Sequence, residues 1–116
     1  MIILVLPTCC ATIRIDGAQR STLNKMYAQN GTDVSNRPLY VSLDGEHGIW
    51  FTGSYWVVGN INELNAGKLT YRYLELYDSS VIDCPTKNVG VWREFNYSWG
   101  HNTNIGVKCD GKLLTP

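Results

Sequence analysis

Short runs of β-branched and aromatic residues alternate with turn residues along this chain, and the turn residues recur every eight to twelve positions. This spacing is typical of small all-β domains, in which a tight turn follows each short strand. No stretch sustains a helical period over more than two turns. The pattern predicts strands at 11–15, 23–28, 38–42, 48–52, 55–60, 68–76, 90–96 and 105–108. We expect an all-β fold, a single small sandwich or barrel of about seven to eight short antiparallel strands.

Two of these segments carry a more specific prediction. Asp44-Gly45 lies between two apolar runs and is typical of the turn of a β-hairpin. Residues 69–76 alternate, which would place Leu69, Tyr71 and Tyr73 on one face of a strand.

The chain opens on an unbroken apolar run, residues 2–6, and small residues follow up to Ala11. Such a run is typical of the second half of a secretory signal peptide. It is shorter than a full signal peptide and no basic residue precedes Arg14, so an N-terminal strand is the alternative. We expect residues 1–11 to be a truncated signal peptide or an N-terminal strand, and residues 12–116 to be a single β domain. The signal interpretation predicts a secreted, extracellular protein.

Charge narrows the class of partner. Ten basic and ten acidic residues give a formal net charge of zero, and the basic residues form no cluster along the sequence. Nucleic-acid binding requires a basic face, and insertion into a membrane requires about 20 consecutive apolar residues. We therefore expect neither, and no cofactor. The expected partner is a protein or a glycan of the extracellular space, and the sequence predicts no oligomeric state.

The four cysteines predict one disulfide in the mature chain. Cleavage after Ala11 would remove the adjacent Cys9 and Cys10 and leave Cys84 and Cys109 as a pair. The alternative is four reduced thiols in a cytosolic protein. No Cys-x-x-Cys motif is present, which argues against a zinc ribbon or a thioredoxin-type site.

Aromatic residues are frequent, with four Trp, seven Tyr and two Phe. Most aromatic side chains of a small β domain supply buried area in the core. Trp99 differs because it lies in a polar segment that also contains Tyr97, His101 and Asn102. These four residues are the candidate ligand-binding site. Three tryptophans have apolar neighbours in the sequence and are assigned to the core, namely Trp50, Trp56 and Trp92.

Two N-glycosylation motifs are present, at Asn30 and Asn96. Asn30 lies in a predicted surface turn and is the better candidate. Asn96 borders an aromatic strand, which we expect to enclose it.

The sequence offers little catalytic chemistry. His47 and His101 are the only histidines, and the Gly-x-Ser-x-Gly motif of a nucleophile elbow is missing. A triad could be drawn only from the histidines and a short segment that contains Asp78, Ser79, Ser80 and Asp83. We assign no catalytic residue.

No metal site is predicted either. Asp44, Glu46 and His47 could offer oxygen and nitrogen ligands to a cation, but a solvated turn explains the same residues. We assign no metal ligand.

The arrangement of several motifs resembles a small β-module of invertebrate secreted and extracellular-matrix proteins. In that module a strand with an Arg-Pro-x-Tyr motif precedes an aromatic strand and a Trp-x-x-Gly strand. The resemblance implies a secreted β-module and no reaction. It rests on the segments Ile13-x-Ile15-x-Gly17, Leu23-Asn24-x-x-Tyr27, Asn36-Arg37-Pro38-Leu39-Tyr40, Gly48-Ile49-Trp50-Phe51, Tyr55-Trp56-Val57-Val58-Gly59, Cys84-Pro85 and Val91-Trp92.

Together these features predict a secreted extracellular binding or structural matrix module without catalytic activity. One alternative is a carbohydrate-binding, lectin-like module that uses exposed aromatic residues. The other alternative is a small secreted hydrolase or protease inhibitor.

Overall fold

A computed structural model describes residues 9–32, 37–76, 84–86, 91–96 and 98–110. Tyr97 and the segment with Asp78, Ser79, Ser80 and Asp83 lie outside the described residues. Over the described part of the chain, nine strands form one antiparallel sheet. The strands are β1 Thr12–Asp16, β2 Met26–Thr32, β3 Pro38–Ser42, β4 His47–Phe51, β5 Trp56–Asn60, β6 Leu74–Leu76, β7 Trp92–Phe95, β8 Trp99–His101 and β9 Gly106–Cys109. Ser21–Leu23 forms a single 3-10 turn, and Ile61–Asn65 forms a short helix, α1.

The sheet is a half-barrel with the strand order β8-β7-β6-β5-β4-β3-β2-β1-β9. All consecutive strands from β1 to β8 are neighbours, and β9 returns to pair with β1. The all-β prediction is confirmed. The count of seven to eight strands was too low, because β8 has three residues and lies in a segment predicted to be a loop. The strands form one curved sheet, not two packed sheets.

The hairpin predicted at Asp44-Gly45 is confirmed. Strands β3 and β4 pair with Tyr40 opposite Ile49 and Val41 opposite Gly48. Gly45 has a φ of 77°, a left-handed conformation that glycine adopts without steric cost.

One face of the sheet, here called the inner face, carries the main apolar core. Side chains alternate between the faces of a strand, so every second residue of most strands contributes to it. Tyr40 is among the fully buried members, and its hydroxyl donates a hydrogen bond to the backbone oxygen of Cys10 over 2.6 Å. Burial raises the pKa of Tyr40 to about 12. The core contains Cys9, Cys10, Ile13, Ile15, Ala18, Leu23, Tyr27, Tyr40, Ile49, Phe51, Trp56, Val58, Leu74, Leu76, Cys84, Trp92 and Val107.

Two disulfides attach the N-terminal segment to this core. Cys9 is bonded to Cys84, and Cys10 is bonded to Cys109. The predicted Cys84–Cys109 bridge is therefore not formed, because each of these cysteines takes a partner from the adjacent pair Cys9-Cys10. Both N-terminal cysteines are buried, and a cleavage after Ala11 would remove one partner of each bridge. Disulfides of this kind are typical of proteins of oxidising compartments.

The opposite, outer face is covered in part by the connection between β5 and β6, residues 61–73. Trp50 is fully buried on this face, and its indole N–H donates to the backbone oxygen of Leu69 over 2.9 Å. The connection crosses over Gly59 of β5. It can lie this close to the sheet because a Cβ at Gly59 would be 2.7 Å from the backbone oxygen of Tyr71. The prediction of one strand over 68–76 is therefore wrong for residues 68–72, which cross over the sheet. The backbone of Tyr73 already bonds to Val58 and Phe95, and β6 begins at Leu74.

Candidate functional site

The hairpin of β7 and β8 places aromatic side chains on the outer face. Phe95 pairs with Trp99 and Arg93 pairs with His101, and residues directly opposite one another share a face of the sheet. The ring centroids of Phe95 and Trp99 lie 5.6 Å apart with an interplanar angle of 53°. Phe95 is 39% exposed and Trp99 is half-buried, so part of this ring pair faces the surroundings.

The connection between β5 and β6 brings further side chains to the same place. Tyr71 is 58% exposed, the guanidinium carbon of Arg72 lies 5.0 Å from the centroid of the Trp99 ring, and the same atom lies 5.4 Å from the Tyr55 ring. These distances are within the range of cation–π contacts. The approach of Tyr71 and Arg72 depends on Gly59, which lets the connection lie directly on the sheet.

These side chains surround a shallow depression of about 280 Å³, here called the aromatic depression. Exposed aromatic groups in contact with one another form an apolar surface, which usually indicates a binding site. Arginine and the backbone groups add donors and acceptors to it. The depression is lined by Thr70, Tyr71, Arg72, Phe95 and Trp99.

A buried ion-pair cluster lies beside the depression and holds Arg72. Glu75 is 1% exposed on the outer face of β6. One of its carboxylate oxygens accepts a hydrogen bond from Nε of Arg72 over 2.7 Å, and the other accepts from Arg93 over 3.1 Å. A buried carboxylate requires such partners, since burying an unpaired charge costs several kcal/mol. The cluster therefore orients the guanidinium group of Arg72 at the edge of the depression.

Of the four residues predicted to bind a ligand, the structure brings Trp99 into the depression. His101 is exposed on the same strand, opposite Arg93, and lines a separate polar depression of about 200 Å³. Asn102 follows β8 and its side chain is used internally. Its amide donates to Glu94 over 2.8 Å and to the backbone oxygen of Gly17 over 3.1 Å. Tyr97 lies outside the described residues.

Glu94 is one of the residues that line the second depression. The side chain of Glu94 is buried at 4% exposure, and it lies on the inner face opposite Leu74. Its two oxygens accept hydrogen bonds from the backbone N–H groups of Gln19 and Arg20, each over 2.9 Å. Together with Asn102, this carboxylate connects the loop after β1 to the β7–β8 hairpin.

Four residues of the aromatic depression could not be found from the sequence: Thr70, Tyr71, Arg72 and Phe95. The alternation in residues 69–76 is typical of a strand, so it predicted Tyr71 on one face of a sheet. No local pattern indicates that this segment crosses the sheet toward Trp99. Phe95 belonged to a predicted strand, but its exposure depends on which face of the sheet remains uncovered.

The three residues considered as cation ligands are close together, but a lysine already lies among them. The carboxylates of Asp44 and Glu46 and the His47 ring each place one ligand atom within 4.8 Å of the others. Nζ of Lys25 lies 2.7 Å from Asp44 Oδ2 and 2.8 Å from His47 Nδ1. An ammonium group at this position supplies the positive charge that a metal ion would supply. We therefore assign no metal site to Asp44, Glu46 and His47.

The same contacts shift the pKa values of the two groups. Hydrogen bonds from Lys25, then from Ser42 and the backbone of Glu46, hold the pKa of Asp44 well below its usual range. Burial, and next the charge of Lys25, lower the pKa of His47 below its ordinary value of 6.5. Because the Lys25 ammonium group has donors only, Nδ1 of His47 accepts the hydrogen bond between them.

Both glycosylation motifs have exposed asparagines. Asn30 lies near the end of β2, next to Gly31, whose φ is 72°. Asn96 is exposed, although we expected the aromatic strand to enclose it, and its amide donates to the side chain of Gln19 over 2.7 Å. A sugar on the Asn96 amide would compete with this bond, which favours Asn30 as the modified residue.

No protein-family model, curated protein or solved structure matches this chain. No helix of the described residues is long and apolar enough to cross a membrane. The proposed function therefore rests on the geometry of the described residues.

Proposed function

We propose that this chain is a secreted, non-catalytic binding module of the extracellular space, and that it binds glycans in the aromatic depression. The observation that carries the proposal is the meeting of Tyr71, Phe95 and Trp99 around one exposed cavity of about 280 Å³. The three rings come from two separate parts of the chain. A core function does not explain them, because two of the three are more than one-third exposed.

Glycans fit this surface better than other small ligands do. A sugar ring presents faces of C–H groups that pack against aromatic rings, with hydroxyl groups around its edge that need polar partners. The depression offers aromatic walls together with Thr70 and Arg72, which is the usual combination of an apolar site with a few polar groups. Its shallow form suits a chain that passes over the surface.

A purely structural matrix module, with its aromatic residues used only in the core, is less well supported. Three of the four tryptophans do belong to buried positions, at 0% for Trp50 and Trp56 and 7% for Trp92. The exposed ring pair of Phe95 and Trp99 would then be without a role. The hydrolase interpretation gains no support from His47, whose Nδ1 already accepts a hydrogen bond from Lys25.

Secretion is supported by the two disulfides and by the exposed Asn30 motif. We expect the protein from a secreting eukaryotic cell to contain no free thiol and to lose mass after glycosidase treatment. The substitution N30Q should remove most of that sugar. A secreted protein with four free thiols would contradict the compartment.

The direct test of glycan binding is a glycan array probed with the wild-type protein and with single variants. We expect Trp99→Ala and Phe95→Ala each to weaken binding by about tenfold or more, as for central aromatic contacts in other interfaces. Leu43→Ala is the matched control, because Leu43 is an apolar residue that is 71% exposed outside the depression. Wild-type binding by both aromatic variants, or no binding of any glycan by the wild-type protein, would contradict the proposal.

A further inference from the structure

Three cationic side chains lie at or behind the aromatic depression. Arg72 lines the depression, Arg93 lies behind it on Glu75, and Nζ of Lys68 is 5.0 Å from the ring centroid of Tyr71. Within the part of the chain that the structure describes, Glu75 is bonded to both arginines and Glu63 lies 3.6 Å from Lys68.

Arg72 is held in place with donors still available. Its Nε donates to Glu75 and its Nη1 donates to the backbone oxygen of Thr70. Among the described residues these two bonds use two of the five N–H groups of a guanidinium. The planar, fixed group matches carboxylate and sulfate oxygens, which accept from two parallel N–H groups.

Arg72 also connects the depression to a second space. An adjoining cavity of about 110 Å³ is lined by Tyr71, Arg72 and Tyr73 together with Asn60 and Glu63. A sugar ring beside Phe95 and Trp99 therefore has a cation at its edge, and the next substituent can extend toward that cation.

We propose that the aromatic depression selects acidic glycans, with a sugar ring against Phe95 and Trp99 and its carboxylate or sulfate group on Arg72. This inference rests on the proposed function and specifies its ligand class. The fixed guanidinium of Arg72 and its available donors support the preference, since a neutral sugar needs no cation at this position. Single-stranded nucleic acid could also stack bases on the aromatic rings and place phosphates on Arg72. The two disulfides favour an extracellular ligand instead.

The test compares four probes on the intact, disulfide-bonded protein: heparin oligosaccharides, the same oligosaccharides after desulfation, hyaluronan oligosaccharides and a neutral chito-oligosaccharide. We expect at least one acidic probe to bind about tenfold more tightly than the neutral probe, and its affinity to fall as salt rises. Desulfated heparin separates the contribution of sulfate from that of the carboxylate, which it retains.

Variants assign the effect to Arg72. Arg72→Gln should reduce the affinity for the acidic probe by about tenfold and leave the neutral probe within about twofold. Arg72→Lys keeps the charge but loses the planar fork, so it should recover part of the affinity. Arg14→Gln is the control for overall charge, because Arg14 lies on β1 in an exposed pair with Asp110. Thermal melting of each variant shows whether it has folded.

The possible failures are distinguishable. Equal binding of neutral and acidic probes would overturn the acidic preference and leave glycan binding intact. If no glycan binds, the proposed function fails as well. An equal loss for Arg14→Gln and Arg72→Gln, or equally tight binding of a single-stranded oligonucleotide, would show a general polyanion effect and would also overturn the inference.

Discussion

The two faces of the sheet are built in different ways. The inner face is a continuous apolar layer with contributions from most strands and both disulfides. On the outer face, Trp50 and Glu75 are buried beneath or beside the connection at residues 61–73. Phe95 and Trp99 lie past the edge of that connection and stay partly exposed. The contrast suggests that folding stability depends mainly on the inner face and recognition on the outer face. Substitutions should therefore separate the two properties.

The largest loss of stability is expected at the inner face, from removing a disulfide such as the Cys9–Cys84 bridge. This bridge spans 75 residues, and the chain-entropy estimate for such a loop is about 4 kcal/mol. The double variant C9A/C84A should lose about that much free energy of unfolding in a denaturant titration.

The variant C10A/C109A tests the pairing itself. It should contain no free thiol after denaturation, because Cys9 and Cys84 remain joined. Two reactive thiols in that variant would contradict the observed pairing.

The next largest effect is expected where the connection crosses the outer face. A Cβ at Gly59 would lie 2.7 Å from the backbone oxygen of Tyr71 and 2.9 Å from the Trp50 ring. Gly59→Ala should therefore cost about 2 kcal/mol of stability, as overpacking does elsewhere, and should also weaken glycan binding by displacing Tyr71 and Arg72. Denaturation and binding are measured on the same sample.

Gly100→Ala is the matched control. Gly100 lies on β8 near the site, but a Cβ there meets no atom within 4 Å. Its stability should stay within about 0.5 kcal/mol of the wild-type value. Equal losses for the two alanine variants would show that the crossing at Gly59 is not under steric constraint.

A smaller effect is expected from pH, again at the inner face. Burial and Lys25 lower the pKa of folded His47 below 6.5. As the pH falls through 6.5, the unfolded chain therefore binds a proton that the folded protein does not, and stability decreases. The free energy of unfolding should be lower at pH 5 than at pH 7. His47→Gln should reduce this difference, whereas His101→Gln, on the exposed β8, should preserve it.

The smallest change in stability is expected at the depression. Trp99→Ala should alter the free energy of unfolding by less than about 1 kcal/mol, because the ring is half-buried at an edge strand. The same variant should lose glycan binding. A failure to fold would place Trp99 in the stabilising part of the molecule and remove the contrast between the faces.

Much of the inner face could be predicted from the sequence. Each of the eight predicted strands overlaps an observed strand, since β-branched and aromatic runs between turn residues are a local signal. The disulfides could not be predicted this way, because four cysteines allow three pairings and only the fold brings Cys9 to Cys84. Strand β8 was missed because three residues give no measurable alternation.

The outer face was harder to predict for the same physical reason. Its burial and its depression arise from a crossing that joins residues far apart in sequence. Trp99 was identified from its polar neighbours, but the contribution of Tyr71 and Arg72 depends on Gly59 lying beneath them. A local pattern cannot show which segment will cross which strand.

We expect a glycan to bind in the aromatic depression of the outer face and to leave the buried side chains of the inner face unchanged. The most direct measurement follows the four tryptophan indole N–H signals by NMR during titration with a heparin oligosaccharide, with Trp99 assigned from the Trp99→Phe variant. We expect the largest shift at Trp99 and little change at Trp56 and Trp92 in the core. An unchanged Trp99 signal at saturating oligosaccharide, or shifts confined to the core tryptophans, would contradict this expectation.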